Sequence, residues 1–222
     1  MLKDIHKKLI VSCQALEDEP LYSSFIMGRM AKAAKEGGAV AIRAQSRQDI
    51  EEIKKVTSLP VIGLVKRKYD DSDIYITPTK VEIDELLKSG CEMIALDCTL
   101  RKRPNDEDLK SLIDYVHENK KLVMADISTF EEGINAEKLG VDCISTTLSG
   151  YTPYSKKSDE PDFELLEKLV NSTNIPVIAE GKINTPDDLK KALEIGAYSV
   201  VVGSAITRPQ LITQKFYKAT LE

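Results

Sequence analysis

The 222-residue chain has no tryptophan, and aromatic residues make up only 5% of it. Its two histidines are His6, near the terminus, and His117, inside a helix-like stretch. Neither ends a strand-like run, so a zinc site or a Ser-His-Asp triad has almost nothing to build on. The four cysteines, Cys13, Cys91, Cys98 and Cys143, form no Cys-x-x-Cys pair. All lie in or beside strand-like runs, so buried free thiols are the expectation. No apolar run approaches the ~18–20 residues of a membrane span. The opening MLKDIHKKLI lacks a signal-type apolar stretch, and a cytoplasmic location is expected. A net charge of −5 speaks against a broad nucleic-acid or anionic-membrane surface. An anionic ligand must then be met by a local basic site. Whatever chemistry occurs is left to Lys, Asp and Glu.

What the chain does have is a repeat. Four short apolar runs end in polar residues: KLIVSCQ at Gln14, PVIGLVK at Lys66, KLVMAD at Asp126 and IPVIAEG, whose carboxylate is Glu180. Between them lies a second set opened by glycine: GGAVAIR to Arg43, GCEMIALD to Asp97, GVDCISTT to Thr147 and GAYSVVVG to Gly203. The ends are spaced 52 to 60 positions apart in the first set and 50 to 56 in the second, a periodicity that governs the fold.

The runs predict strands near 9–14, 39–44, 60–66, 92–98, 121–127, 143–149, 176–181 and 199–205. They are continuously apolar rather than alternating, as buried parallel strands are. Helices are predicted between them, near 23–36, 46–57, 80–89, 106–119, 129–138, 162–172, 185–195 and 209–220. Thr129 precedes Glu132 at capping-box spacing, Thr185 precedes Pro186, and Gly37, Gly90, Gly140 and Gly196 mark helix ends. Eight strand–helix units predict an α/β fold, a (β/α)8 TIM barrel forming a single domain over 1–222. A doubly wound open sheet is the runner-up, but no Gly-x-Gly-x-x-Gly turn follows the first strand.

In such a barrel, active sites occupy the C-terminal rim. Gln14, Lys66, Asp126 and Glu180 would then point into one mouth from strands 1, 3, 5 and 7, with Arg43 and Asp97 adding a neighbouring layer. Long connections at 67–79 and 150–161 fall on the same rim. The acidic Asp70, Asp71 and Asp73 read as solvated loop charge, since no further ligands are spaced for a cation cage. Tyr151 and Tyr154 either cover a ligand or anchor the loop.

The stretch VVGSAITRP predicts a phosphate site. Gly203 and Ser204 expose backbone N–H groups, Arg208 follows at a helix start, and Gly181 offers a matching turn after strand 7. Opposite a bound phosphate, Lys66 has three possible roles: electrostatic partner, Schiff-base nucleophile, or base once burial lowers its pKa. Glu180 among apolar neighbours has its pKa raised and suits the matching acid. These residues support an isomerase, epimerase or aldolase acting on a sugar phosphate.

The runs LIVSCQ, DEPL, AIRA, PVIGLVKR, IALD, TTLSGYT, VIAEG and VGSAITR together resemble the N-acetylmannosamine-6-phosphate 2-epimerase family of bacterial sialic-acid breakdown. The resemblance runs from residue 9 to the last helix. It implies interconversion of N-acetylmannosamine 6-phosphate and N-acetylglucosamine 6-phosphate with no cofactor, metal or nucleotide. It also implies Gln14 and Arg43 as substrate contacts, Asp126 at the anomeric end, Lys66 as the base at C2 and Glu180 as its acid partner. Arg208 and the backbone near Gly181, Lys182, Gly203 and Ser204 would hold the phosphate. Lys182 stands where some relatives have Arg, and Cys98 replaces a small residue after IALD. A Schiff-base aldolase on Lys66 and a non-catalytic sugar-phosphate sensor are the alternatives. The last helix, with Leu211, Ile212, Phe216 and Leu221, either completes the outer ring or exchanges across a homo-oligomer, a dimer being favoured.

Overall fold

The computed structural model describes residues 1–221. Eight parallel strands close into a barrel in sequence order, with the last pairing to the first. They are β1 (Leu9–Cys13), β2 (Ala41–Gln45), β3 (Val61–Leu64), β4 (Met93–Asp97), β5 (Leu122–Asp126), β6 (Cys143–Ser145), β7 (Val177–Glu180) and β8 (Ser199–Val202). The expected TIM barrel is the fold. A four-residue helix, α1 (Leu2–Ile5), precedes β1. The outer helices are α2 (Ser24–Glu36), α3 (Arg47–Thr57), α4 (Lys80–Leu87), α5 (Leu109–Glu118), α6 (Phe130–Leu139), α7 (Phe163–Ser172) and α8 (Pro186–Ile195). A short α9 (Ser204–Thr207) and α10 (Pro209–Lys218) follow β8. No described helix is long and apolar enough to cross a membrane.

Strand side chains alternate between two compartments because a strand has a period of two. Outward residues such as Val11, Ile42, Val61, Ile94 and Val123 pack under the helices. Inward residues such as Ile10, Ile62, Met93, Met124, Cys143 and Ile178 fill the barrel, and Ile5 of α1 closes it from below. With both faces buried, the strands need apolar residues at every position. Each fully buried aliphatic side chain of this size stabilises the fold by about 1.5–3 kcal/mol.

The helix starts follow the predicted chemistry. Thr129 and Thr185 form capping boxes with Glu132 and Asp188, and Pro186 occupies the first turn of α8. Gly140 and Gly196 end α6 and α8 with positive φ of 90° and 115°. Gly37 ends α2 as expected, but without a left-handed step of its own. That residue is right-handed at φ −78°, and the left-handed step falls on Gly38 at φ 103°.

Strand lengths also differ from expectation. The sixth strand stops at Ser145, not 149, because the Thr146 hydroxyl bonds the backbone of Glu180, donating to its carbonyl at 2.8 Å. The third stops at Leu64, and Lys66 instead makes an antiparallel bridge with Ile76. The eighth yields to α9 after Val202. Both α1 and α9 went unpredicted, since four residues carry too little periodicity to read.

Candidate active site

The alternation that fills the barrel also builds its mouth. Two residues beyond the inward-facing Ala41, Leu64, Met124 and Ile178 stand Arg43, Lys66, Asp126 and Glu180. A step of two keeps the same face, so each polar residue points inward one layer higher. β3 and β7 lie four strands apart in a ring of eight, and Lys66 and Glu180 therefore face each other across the opening. Both line one cavity of about 650 Å³.

Arg43 crosses the mouth floor. Its Nη1 and Nη2 donate to the two oxygens of Asp126 at 2.9 and 2.5 Å. Nη1 also lies 3.1 Å from Glu180 Oε2. Arg43 and Asp126 are 1% and 0% exposed, so both charges depend on this pairing. Burial alone would lower the guanidinium pKa, but Asp126 and Glu180 more than reverse it and hold the group charged. The Thr147 hydroxyl donates to Asp126 Oδ1 at 2.7 Å and shares a 2.8 Å hydrogen bond with the Ser145 hydroxyl. Ser145 in turn lies 3.2 Å from Glu180 Oε2.

Arg43 and Ser145 thus both meet Glu180 through Oε2. Burial raises its pKa, and Asp126 adds to this. Arg43 and the hydroxyls of Thr147 and Ser145 work in the opposite direction without cancelling the rise. Lys66 moves the other way. Burial first, then the positive charges of Arg43 and Arg208, bring its pKa down to about 8, against the pull of Glu180 and Glu19. No carboxylate within the described residues pairs with its amino group. The two groups facing the cavity thus approach each other in proton affinity.

Gln14 lines the cavity and donates to the Ser12 hydroxyl at 2.9 Å, which leaves its buried carbonyl oxygen unpartnered. At the corner expected to take a phosphate, Gly181, Lys182, Gly203, Ser204 and Arg208 all line the same cavity. Gly181 and Lys182 take consecutive positive φ values of 101° and 59°. The first of these is a conformation that favours glycine. The N–H groups of Gly181, Lys182, Gly203 and Ser204 take no part in backbone pairing. Five cations line the cavity (Arg43, Lys66, Lys182, Arg208, Lys215) against Asp159 and Glu180, a local excess of positive charge in a net acidic chain.

Two predicted members of the site sit elsewhere. Asp126 does not line the cavity, being wholly covered beneath Arg43. Asp97 does not join it either. Its carboxylate turns onto its own loop, accepting from Thr99 N–H and Oγ1 at 3.0 and 2.6 Å and from Arg101 Nη2 at 2.6 Å. The two loop tyrosines divide the roles expected of them. Tyr151 lines the cavity with the Lys182 ammonium 5.2 Å from its ring centroid, whereas Tyr154 anchors its loop through a 2.6 Å hydrogen bond to Glu132.

The 67–79 loop folds back as a flap and brings Tyr75 and Ile76 to the cavity wall. Arg101 Nη1 holds it at the Asp73 carbonyl, 3.0 Å away, and Asp71 accepts from Asn105 N–H at 3.0 Å. Tyr75 and Glu19 were not foreseen, since both come from loops without periodicity. Ser12 and Thr147 were readable from the two-residue step on β1 and beyond β6. The four cysteines are buried free thiols, and burial pushes Cys13 up to about 12, which keeps it inert. Among the described residues no cluster of His, Cys, Asp and Glu is arranged to hold a metal ion.

Two ionisable groups with opposed pKa shifts and a cluster of cations thus share the C-terminal mouth of a (β/α)8 barrel, where enzymes of this fold keep their active sites. The sequence profile described as "NanE: Putative N-acetylmannosamine-6-phosphate epimerase" matches residues 27–222, and the chain belongs to this family. A relative from Clostridioides difficile (strain 630), described as "Putative N-acetylmannosamine-6-phosphate 2-epimerase", is 70% identical over 219 residues, covering 99% of this chain and 98% of its own. The solved N-acetylmannosamine-6-phosphate 2-epimerase from Clostridium perfringens superposes with a TM-score of 0.98 at 68% identity, covering 99% of this chain and 96% of that one. The thiamine phosphate pyrophosphorylase from Pyrococcus furiosus is similar in fold alone, at a TM-score of 0.63 and 21% identity, with 93% and 90% covered.

Proposed function

We propose that this chain is an isomerase that inverts C2 of N-acetylmannosamine 6-phosphate to give N-acetylglucosamine 6-phosphate, with Lys66 and Glu180 as the two proton carriers. The observation that carries the reading is their placement across one cavity, with Lys66 meeting no carboxylate among the described residues and Glu180 raised in pKa by burial. Inversion by proton exchange needs a base on one face of the carbon and an acid on the other. Strands four apart in the ring supply that opposition.

In one direction the neutral Lys66 amine takes the C2 proton and protonated Glu180 returns one to the opposite face. In the reverse direction the roles exchange. The active pair carries a single proton either way, and the opposed pKa shifts bring the two groups close enough to share it. Charge developing next to C2 meets Arg43, a fixed cation whose orientation Asp126 sets before substrate arrives. Asp126 therefore acts through Arg43 rather than by touching the anomeric end. Gln14 offers its unpartnered carbonyl oxygen to a substrate donor. Arg208, Lys182 and the amides of Gly181, Gly203 and Ser204 grip the phosphate.

Proton NMR of N-acetylmannosamine 6-phosphate with the protein in D2O tests reaction, position and substrate together. Deuterium should appear at C2 as the second epimer accumulates, and no exchange at C2 would refute the proposal. The lowered Lys66 pKa also suits a Schiff base, and borohydride trapping of a covalent substrate adduct would favour that aldolase reading. A homodimer belongs to the same proposal. No residue of α10 is buried, and its Phe216 and Tyr217 are 75% and 60% exposed, leaving an apolar surface for a second copy to cover. Light scattering that returns the monomer mass at micromolar concentration would exclude it.

A further inference from the structure

Glu19 does not line the cavity; it lies behind Arg208, and the acid–base scheme makes no use of it. It belongs to the loop between β1 and α2, yet it meets a residue at the far end of the chain. Its carboxylate takes the guanidinium side-on, with Nε 2.8 Å from Oε1 and Nη2 donating to Oε2 at 3.0 Å. Two further donors hold the carboxylate in place. Leu16 N–H reaches Oε2 at 2.9 Å, and the Gln210 side chain reaches Oε1 at 3.3 Å. The arginine and the acid are 28% and 17% exposed, so the pair is largely shielded from water.

A carboxylate bonded to one edge of a guanidinium fixes the plane of the whole group. The remaining donors are then Nη1 and the outer edge of Nη2. Nη1 lies 3.4 Å from the Ser204 hydroxyl, on the wall that also carries Gly203. Left alone, a flexible arginine stem would have to be ordered by its ligand, at the expense of affinity.

We propose that Glu19 is a positioning residue for the phosphate group of the substrate: it holds the Arg208 fork side-on, so that the free donors face the corner formed by Gly181, Gly203 and Ser204. This rests on the assignment of the phosphate to that corner. A carboxylate that merely competed with phosphate for Arg208 would have the opposite effect on binding.

Steady-state kinetics of Glu19→Ala, Glu19→Gln, Arg208→Gln and the Glu19→Gln/Arg208→Gln double variant, with inorganic phosphate as a competitive inhibitor, provide the test. In both Glu19 variants KM and the inhibition constant of inorganic phosphate should rise together, roughly tenfold, the weight of one well-placed charge-assisted hydrogen bond. Turnover should stay within about twofold, because Glu19 bonds neither Lys66 nor Glu180 and its pull on Lys66 comes last among the charges that shift it. Arg208→Gln should raise KM further, and the double variant should match it, since the acid acts only through the arginine. A KM that falls in the Glu19 variants overturns the proposal in favour of competition. A lowered Tm with both constants unchanged, or a loss confined to kcat, overturns it too. If Arg208→Gln raises KM and the Glu19 variants do not, the Glu19 role alone is wrong. If Arg208→Gln leaves KM unchanged, the phosphate assignment falls and takes this role with it.

Discussion

The floor and the mouth of the barrel come from the same strands, two residues apart, and they follow opposite rules. At the level of Ala41, Leu64, Met124 and Ile178 the interior is apolar, and α1 closes it from below. One layer up, Arg43, Asp126 and Glu180 form a buried ionic cluster, and Lys66 stands beside it with no ion-pair partner among the described residues. Below, burial of apolar area contributes to stability. Above, burial costs stability unless a charge is met, and Lys66, which meets no carboxylate among the described residues, is the group to which the proposal gives proton transfer. The proposed mechanism thus separates stability and reactivity along the barrel axis, and substitutions at each level should separate them too.

The largest effect is expected in the mouth. Lys66→Ala and Glu180→Gln should each slow C2 exchange by roughly a thousandfold or more, as loss of a general acid or base does. Their Tm should stay within about 3 °C of the parent, or rise for Lys66→Ala, which removes a desolvated cation. Near-normal exchange in both variants would show that the pair was wrongly assigned. Asp126→Ala should strike stability and activity together. Arg43 is then buried without its main partner, at about 3–5 kcal/mol measured by urea unfolding. A loss of activity with unchanged unfolding would mean that Asp126 acts on substrate directly and not through Arg43.

On the floor, Ile62→Ala should cost about 2–4 kcal/mol of stability through the cavity it leaves, with kcat near the parent value. A large fall in kcat there would show that the two layers are coupled. The pH profile should sharpen the comparison with the smallest change. Because the active pair holds one proton, kcat/KM should be bell-shaped. The alkaline limb should lie near the Lys66 value of about 8, where the pair loses its last proton. Since the Glu180 pKa is raised, the acid limb should lie above the ordinary carboxylate value of 4.5, with activity falling as pH drops through it. A rate still climbing above about pH 9 would contradict the shared proton.

Much of this architecture was legible in the residues. A repeat of short, continuously apolar runs specifies parallel strands buried on both faces, and eight of them separated by capped helices leave few folds besides a closed barrel. The same alternation brought Arg43, Lys66 and Glu180 into one mouth, because a strand's period of two is a local property of the backbone. Asp97 followed the pattern in sequence and departed from it in space. Thr99 and Arg101, two and four residues on, offered its carboxylate nearer partners. Tyr151 and Tyr154 were equivalent until their loop folded and gave only one of them an acid to bond.

The sequence by itself determined the strands, their number, their inward faces and the polar residues that cap them, since all of these follow from periodicity and local backbone preference. Only the tertiary structure decided which charges are paired. Arg43 meets Asp126 from three strands away and Arg208 meets Glu19 from the opposite end of the chain, while Lys66 meets no carboxylate among the described residues. Charge pairing depends on distances set after the ring closes, and the lowered proton affinity of Lys66 is a consequence of that closure.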